Sequence, residues 1–415
     1  MIAVAPKPQE PIQKRLSMQV EGIAEDTITL RSQDWDRDRF DIEFGLQNGT
    51  TYNSFLIRGE KTALVDTSHA KFREQYMAAL KGEIDPAEID YIVVSHTEPD
   101  HSGLIKDVLA LAPNAVVVGA KVAIAFLEDL VHQPFERRVV KSGETLDLGD
   151  GHLLEFVNAP NLHWPDTIFT FDHKTSVLYT CDAFGAHYCT DDTFDEDLEA
   201  LSPDFRFYYD CLMGPNARSV VSAMKRIDKL DGEITTVATG HGPLLRRNVD
   251  ELMGRYREWS QKKNNAETLV SVFYVSDYGF SDRISQAIAR GITKTGVGVE
   301  MIDLRSADAQ EVNEVVSRSM GIIIGMPPST GKGSEETRAA LGTILAGVNK
   351  KKTFGLFESY GGDDEPIDTL QTNLQDLDLK VAFDPIRIKD TPSEATYQLC
   401  EETGTDLGQD LAKTK

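Results

Sequence analysis

The sequence predicts an α/β protein of two successive units, a layered sheet-and-helix sandwich followed by a doubly wound five-stranded parallel sheet. Three observations carry this. The 415 residues suffice for two or three domains at ~150 residues each. Short apolar strands mix irregularly with helical stretches up to about Trp259, whereas strand and helix alternate strictly beyond it. Hydrophobic residues at 40% and charged residues at 27% are those of a folded globular chain, not a disordered or fibrous one.

The first ~16 residues, rich in Pro, Lys and Gln, are expected to form a loose leader. The first unit, 17–260, contains apolar strands at 52–58, 63–66 and 91–95 and helical stretches at 70–81 and 121–131. The polar stretch Gln261-Lys262-Lys263-Asn264-Asn265 is the expected linker. In the second unit, 266–411, strands are expected at about 269–275, 299–304, 320–325, 353–358 and 381–388. Helices fall between them at about 282–294, 309–318, 335–348 and 366–376. Parallel sheets of this kind take ligands at the C-terminal ends of their strands, so the loops after strands one, three and four are expected to hold a cofactor.

Forty-three basic against sixty-seven acidic side chains give a net charge of −24, spread over both units. Such a field repels nucleic acid and anionic membrane, so neither is an expected partner. No apolar run approaches the ~18 residues that span a bilayer, and the N-terminus lacks the apolar core of a secretory signal. A cytoplasmic location is therefore expected. Cys181, Cys189, Cys211 and Cys400 show no CxxC spacing, which argues for buried reduced thiols over disulfides, a zinc ribbon or an iron–sulfur cluster.

The strand at 91–95 runs directly into His96-Thr97-Glu98-Pro99-Asp100-His101, four metal-capable side chains within six positions. Burying two imidazoles and two carboxylates together is costly without a cation. His163, Asp182 and His241 each sit in a loop or at a strand end near Gly or Pro, where any one of them alone would read as structural. Taken together, in this order, the seven resemble the metallo-β-lactamase superfamily, whose members hold two metals in an αββα sandwich. The usual hydrolase has His where this chain has Glu98. With Asp100 and Asp182, Glu98 makes three hard anionic donors, a set suited to iron cycling between two oxidation states.

The first strand of the second unit leads into Ser276, Asp277, Tyr278, Gly279, Phe280 and Ser281 and then a helix, a setting in which backbone N–H groups can cradle a phosphate. The third strand leads into Gly325, Met326, Pro327, Pro328, Ser329 and Thr330, and the fourth into Ser359, Tyr360, Gly361 and Gly362. These loops resemble those of flavodoxin, in which the first holds the FMN phosphate and the others flank the flavin ring. Asp277 is a departure, since an inward carboxylate would repel that phosphate. Walker A and dinucleotide glycine patterns do not fit the chain.

A Glu-substituted lactamase-like unit followed by a flavodoxin-like unit is similar to the flavodiiron proteins, over the chain from about residue 17. The resemblance implies that His96, Glu98 and His163 hold one iron, that Asp100, His101 and His241 hold the other, and that Asp182 bridges them, with no catalytic residue beyond the ligands. It implies reduction of O2 to water, or of NO to N2O, with electrons relayed through FMN from an external donor such as a flavin reductase or ferredoxin. In the family the two cofactors of one chain lie far apart, so a head-to-tail homodimer, or a hetero-oligomer with a paralogue, is expected. Segments 31–41 and 48–54 resemble the class found in oxygenic photosynthesis. That class adds a C-terminal NAD(P)H:flavin reductase domain, which is expected to be absent here because Lys415 follows directly on the flavodoxin-like unit. NAD(P)H is expected only where such a domain is present.

Two rivals share these features: a zinc hydrolase fused to a flavodoxin, and a metal-free, FMN-binding electron-transfer subunit. His187, five residues after Asp182, reads as a hydrogen-bond partner near the metals or as a structural residue. Trp164 reads as packing, and His69, His132, His152 and His173 as structural or solvated.

Overall fold

The computed structural model describes residues 15–40, 44–266, 268–275, 280–305, 309–325, 334–348, 352–360, 367–376, 379–389 and 391–413. Strand Leu16–Ala24, at the expected end of the leader, opens a seven-stranded sheet. Thr27–Asp34, Thr50–Arg58, Thr62–Val65, Ile89–Val94, Val116–Gly119 and Glu136–Val139 follow across it in that order. A second, five-stranded sheet runs Thr145–Gly149, His152–Asn158, Ile168–Asp172, Val177–Cys181 and Thr236–Thr239.

Alternation along the strands builds the layers. In the seven-stranded sheet Phe55, Ile57, Ala63 and Val65 point inward to meet Leu154, Phe156, Ile168 and Tyr179 of the second sheet in one buried core. Their neighbours Leu56 and Leu64 point outward onto Phe72, Tyr76, Leu80, Ile124 and Leu127 of the covering helices. On the far side, Phe169, Phe171 and Leu178 pack against Phe205, Leu252 and Tyr256. The result is an αββα sandwich, with both sheets buried between helical layers.

Beyond it a third sheet has the order Gly298–Asp303, Leu269–Tyr274, Gly321–Gly325, Thr353–Tyr360, all parallel. Strand one is thus flanked by strands two and three, and the crevice beside it is the point where the chain reverses its winding. The expected fifth strand is broken: Lys380–Val381 pairs with Thr353–Phe354, and Ile386–Lys389 pairs with Phe357–Tyr360. Pro385 offers no N–H to the ladder, and the Phe383 ring occupies the space over Gly355 that any side chain there would need.

The expected linker proves to be helix. Gln261 to Asn264 complete the helix Val249–Asn264, because Gln and Lys are good helix formers and lysines near a C-terminus favour the dipole. The second unit is held to the first at its edge strand, where Arg218 donates to the buried Glu300 at 3.0 Å and Arg318 also pairs with Glu300. No described helix is long and apolar enough to cross a membrane.

Candidate metal centre

Six of the seven singled-out donors stand directly after strands of the two sheets or in the short turns that follow. His96 and Glu98 follow Ile89–Val94, Asp100 and His101 lie in the helical turn Pro99–Ser102, and Asp182 follows Val177–Cys181. His241 follows Thr236–Thr239, and His163 lies in the loop before Ile168–Asp172. Because the two sheets face one another, all seven converge at one edge of the sandwich, each at most 6% exposed.

The geometry divides them around Asp182. Its Oδ2 lies 3.5 Å from His96 Nε2 and 3.5 Å from His163 Nε2, and Glu98 Oε2 is 3.4 and 2.9 Å from the same two nitrogens. Its Oδ1 lies 3.0 Å from His101 Nε2 and 3.3 Å from His241 Nε2, with Asp100 oxygens 3.6 and 3.4 Å from those nitrogens. Donors bound ~2.1 Å from one ion stand roughly 3.0–3.4 Å apart, so these spacings match the edges of coordination polyhedra. The sets His96, Glu98, His163, Asp182 and Asp100, His101, His241 each bring their donor atoms within 4.8 Å of one another. Among the described residues, His96 Nε2, both Asp100 oxygens, Asp182 Oδ2 and His241 Nε2 are buried without a hydrogen-bond partner. Buried orphan donors on imidazole and carboxylate fit a pair of divalent first-row cations.

The electrostatics fit the same picture. Burial opposes charge on His163 and His241, yet the hydrogen bond to Glu98 in one case and the adjacent Asp100 and Asp182 carboxylates in the other lift them to about 9 and about 10. Burial likewise disfavours ionisation of Asp100 and Asp182, but His101 and its neighbours hold both below the usual carboxylate range. Protons on these imidazoles and metal cations compete for the same lone pairs.

Several residues around the cluster escaped sequence reasoning. Asp166 accepts from His96 Nδ1 at 2.9 Å and from the Thr97 N–H at 2.8 Å, fixing the imidazole with Nε2 toward the cluster. His241 Nδ1 lies 2.7 Å from the Thr51 carbonyl oxygen, and the Tyr208 hydroxyl donates to Asp182 Oδ1 at 3.0 Å. The only available signal was an aspartate three residues past His163; Thr51 and Tyr208 had none. His187 contacts Thr50, Nδ1 to Oγ1 at 2.8 Å, and packs at a tilt against the His241 ring, centroids 4.7 Å apart. Burial and the neighbouring His241 charge keep it neutral. Phe40, from the hairpin Arg39–Phe40 with Phe44–Gly45, covers His187 at 4.1 Å. Trp164 packs edge-on against His96. His152 pairs with Asp172, His173 pairs with Glu155, His69 caps a 3-10 turn and His132 ends a helix.

Of the expected flavin residues, 276–279, 326–330 and 361–362 lie outside the described residues. Phe280 and Ser281 open the helix Phe280–Lys294, and Gly325, Ser359 and Tyr360 lie at C-terminal strand ends. Register places Phe273 beside Ile324, and Gly325 beside Phe357, so the C-terminal ends of these three strands lie side by side. Asp282, in the first turn of that helix, is raised to about 6, mainly by burial, and the charges of His163 and Glu98 act on it.

Residues 50–242 match the family model "ODP family beta lactamase", and 272–404 match "Flavodoxin". The chain is 63% identical to diflavin flavoprotein A 1 of Synechocystis sp. over 97% of its own length and 70% of the relative's. It is 64% identical to putative diflavin flavoprotein A 3 of Nostoc sp., covering 96% and 69%. A metal-soaked Flv1 flavodiiron core from Synechocystis sp. superposes with TM-score 0.89 at 37% identity, over 96% of this chain and 100% of that one.

Proposed function

Because this chain belongs to the flavodiiron proteins, we propose that it is an oxidoreductase that reduces O2 to water, or NO to N2O, at a non-haem diiron site. The observation that carries the reading is the division of seven buried donors around the two oxygens of Asp182. His96, Glu98 and His163 would hold one iron and Asp100, His101 and His241 the other, with Asp182 shared. When bound, the iron pair and FMN supply electrons to the gas. The chain's own part is to orient His96 through Asp166, to hold Asp182 through Tyr208, and to cover the cluster with Phe40.

FMN would sit over the loops at 276–281, 325–330 and 359–362, at the strand ends where such sheets take ligands. The electron donor is proposed to be an external flavin reductase or ferredoxin. A homodimer or a hetero-oligomer with a paralogue is the proposed assembly. The zinc hydrolase is not favoured, since Glu98 supplies a third carboxylate where hydrolases of this fold place a histidine.

The test is iron, zinc and flavin content per chain, followed by O2 and NO consumption with an external flavin reductase. Iron-dependent gas consumption is expected. A zinc-loaded chain that hydrolyses esters, or a flavin-loaded chain that stays inert with iron bound, would overturn the reading.

A further inference from the structure

A file of oxidisable rings leads from the cluster to the surface. Tyr208, 1% exposed, donates a hydrogen bond to Asp182 Oδ1 at 3.0 Å. The helix Leu198–Tyr208 gives way at that point to a π turn, Tyr209–Met213, a distortion frequent at functional sites. Tyr208 thus meets the cluster, while its peptide neighbour Tyr209 meets the helix Val249–Asn264, its hydroxyl 2.9 Å from Ser260 Oγ. The Tyr209 ring stands 5.0 Å from that of Trp259, centroid to centroid. Trp259 is half-buried and lines a cleft of about 740 Å³ between the two units, with the Arg206 guanidinium 4.5 Å over its ring.

Packing alone asks only for bulk, and Phe184 and Phe205 supply it nearby against Tyr256. From Asp182 to the cleft, by contrast, each ring in turn is one that yields an electron: Tyr208, Tyr209, Trp259. Electron transfer slows steeply with distance, so short steps between neighbouring rings outrun one long jump.

Resting on the diiron reading above, we propose that Tyr208, Tyr209 and Trp259 drain oxidising equivalents from the cluster when flavin electrons arrive too late. O2 takes four electrons to become water, and a diferrous pair holds two. In the shortfall Tyr208 gives one electron to the oxidised iron pair, its hydroxyl proton sliding along the hydrogen bond to Asp182 and back. The electron is replaced from Trp259 through Tyr209, so both tyrosines end as they began. Trp259 is left one electron short and sheds its Nε1 proton to water, because the Arg206 cation over it opposes a charged ring. A soluble thiol then returns a hydrogen atom to the indole, and two thiyl radicals formed in this way join as a disulfide.

The experiment takes the iron- and FMN-loaded protein reduced by two electrons per chain, mixes it with O2 and freeze-quenches it for electron paramagnetic resonance. Ring-deuterated tyrosine or tryptophan identifies the radical. A tryptophan radical is expected in the unaltered chain, its lifetime shortened by added glutathione. In W259F the radical is expected on tyrosine, living roughly tenfold longer and indifferent to the thiol. Y209F leaves both ends of the file in place and is expected to yield no tryptophan radical. Equal iron and flavin content and an unchanged unfolding midpoint verify the fold of both variants. Oxygen uptake by the same samples separates the two readings. No uptake fails the diiron reading and this proposal with it, whereas uptake without any protein radical overturns this proposal alone. A tryptophan radical that survives W259F, or that Y209F leaves unchanged, would overturn it too.

Discussion

Replacing Asp182 with asparagine keeps the side chain's shape but removes a charge and turns one acceptor into a donor aimed at imidazole nitrogens. Since its two oxygens face separate halves of the cluster, both irons are expected to be lost, and metal analysis of D182N checks this. Asp166→Asn touches no proposed ligand atom, yet it removes the anchor of His96. Iron affinity should fall by about 10–100-fold while the fold is kept, as read by chelator competition. The raised histidines give a pH signature. Unfolded, His163 and His241 titrate near 6.5; folded and metal-free, they titrate at about 9 and about 10. Their stabilising contribution is therefore complete below about pH 6.5 and is lost as pH rises through 9 and 10. Urea midpoints of the chelated protein should fall across that window, and iron-loaded protein should lack this slope. The seven clustered donors were legible in sequence because each sits beside a strand or glycine signal. Thr51 and Tyr208 were not, because their roles arise from contacts 190 and 26 residues away.

Local pattern fixed most strands and helices to within a few residues, and failed where tertiary context decides. The polar run at 261–265 has the composition of a linker but lies at the end of a helix whose Tyr256 and Ser260 are buried. The fifth strand of the flavodoxin-like sheet reads as continuous until Phe383 is seen to insert over Gly355. Nor did the sequence explain the glycines inside helices. At Gly291 a Cβ would stand 1.9 Å from the Glu401 carbonyl oxygen, and at Gly404 it would stand 2.1 Å from that of Ile288. These two positions let the helices Phe280–Lys294 and Glu394–Lys413 touch backbone to backbone. Gly404→Ala is expected to cost about 1–3 kcal/mol by forcing them apart. Unfolding midpoints should drop, and retention of FMN during dialysis should weaken with them.

For the whole chain, the two-unit α/β architecture was legible because periodicity changes character between the halves. How the units meet was not, since the ion pair of Arg218 with Glu300 joins residues 82 positions apart. The proposed head-to-tail pair rests on the family's separation of the two cofactors within one chain. With saturating donor, O2 turnover per chain is expected to fall at least tenfold on dilution through dimer dissociation, roughly 1.4 kcal/mol or more. Stopped-flow rates paired with mass measurements at each concentration check this, and an unchanged rate would mean that one chain carries the relay alone.

The glycine contact between Phe280–Lys294 and Glu394–Lys413 bears on motion as well as stability. With no side chains between the two backbones there, neither helix has slack to ratchet along the other. Any gating of electron flow by distance must then swing the flavodoxin-like body as one piece, pivoting at its junction with the sandwich.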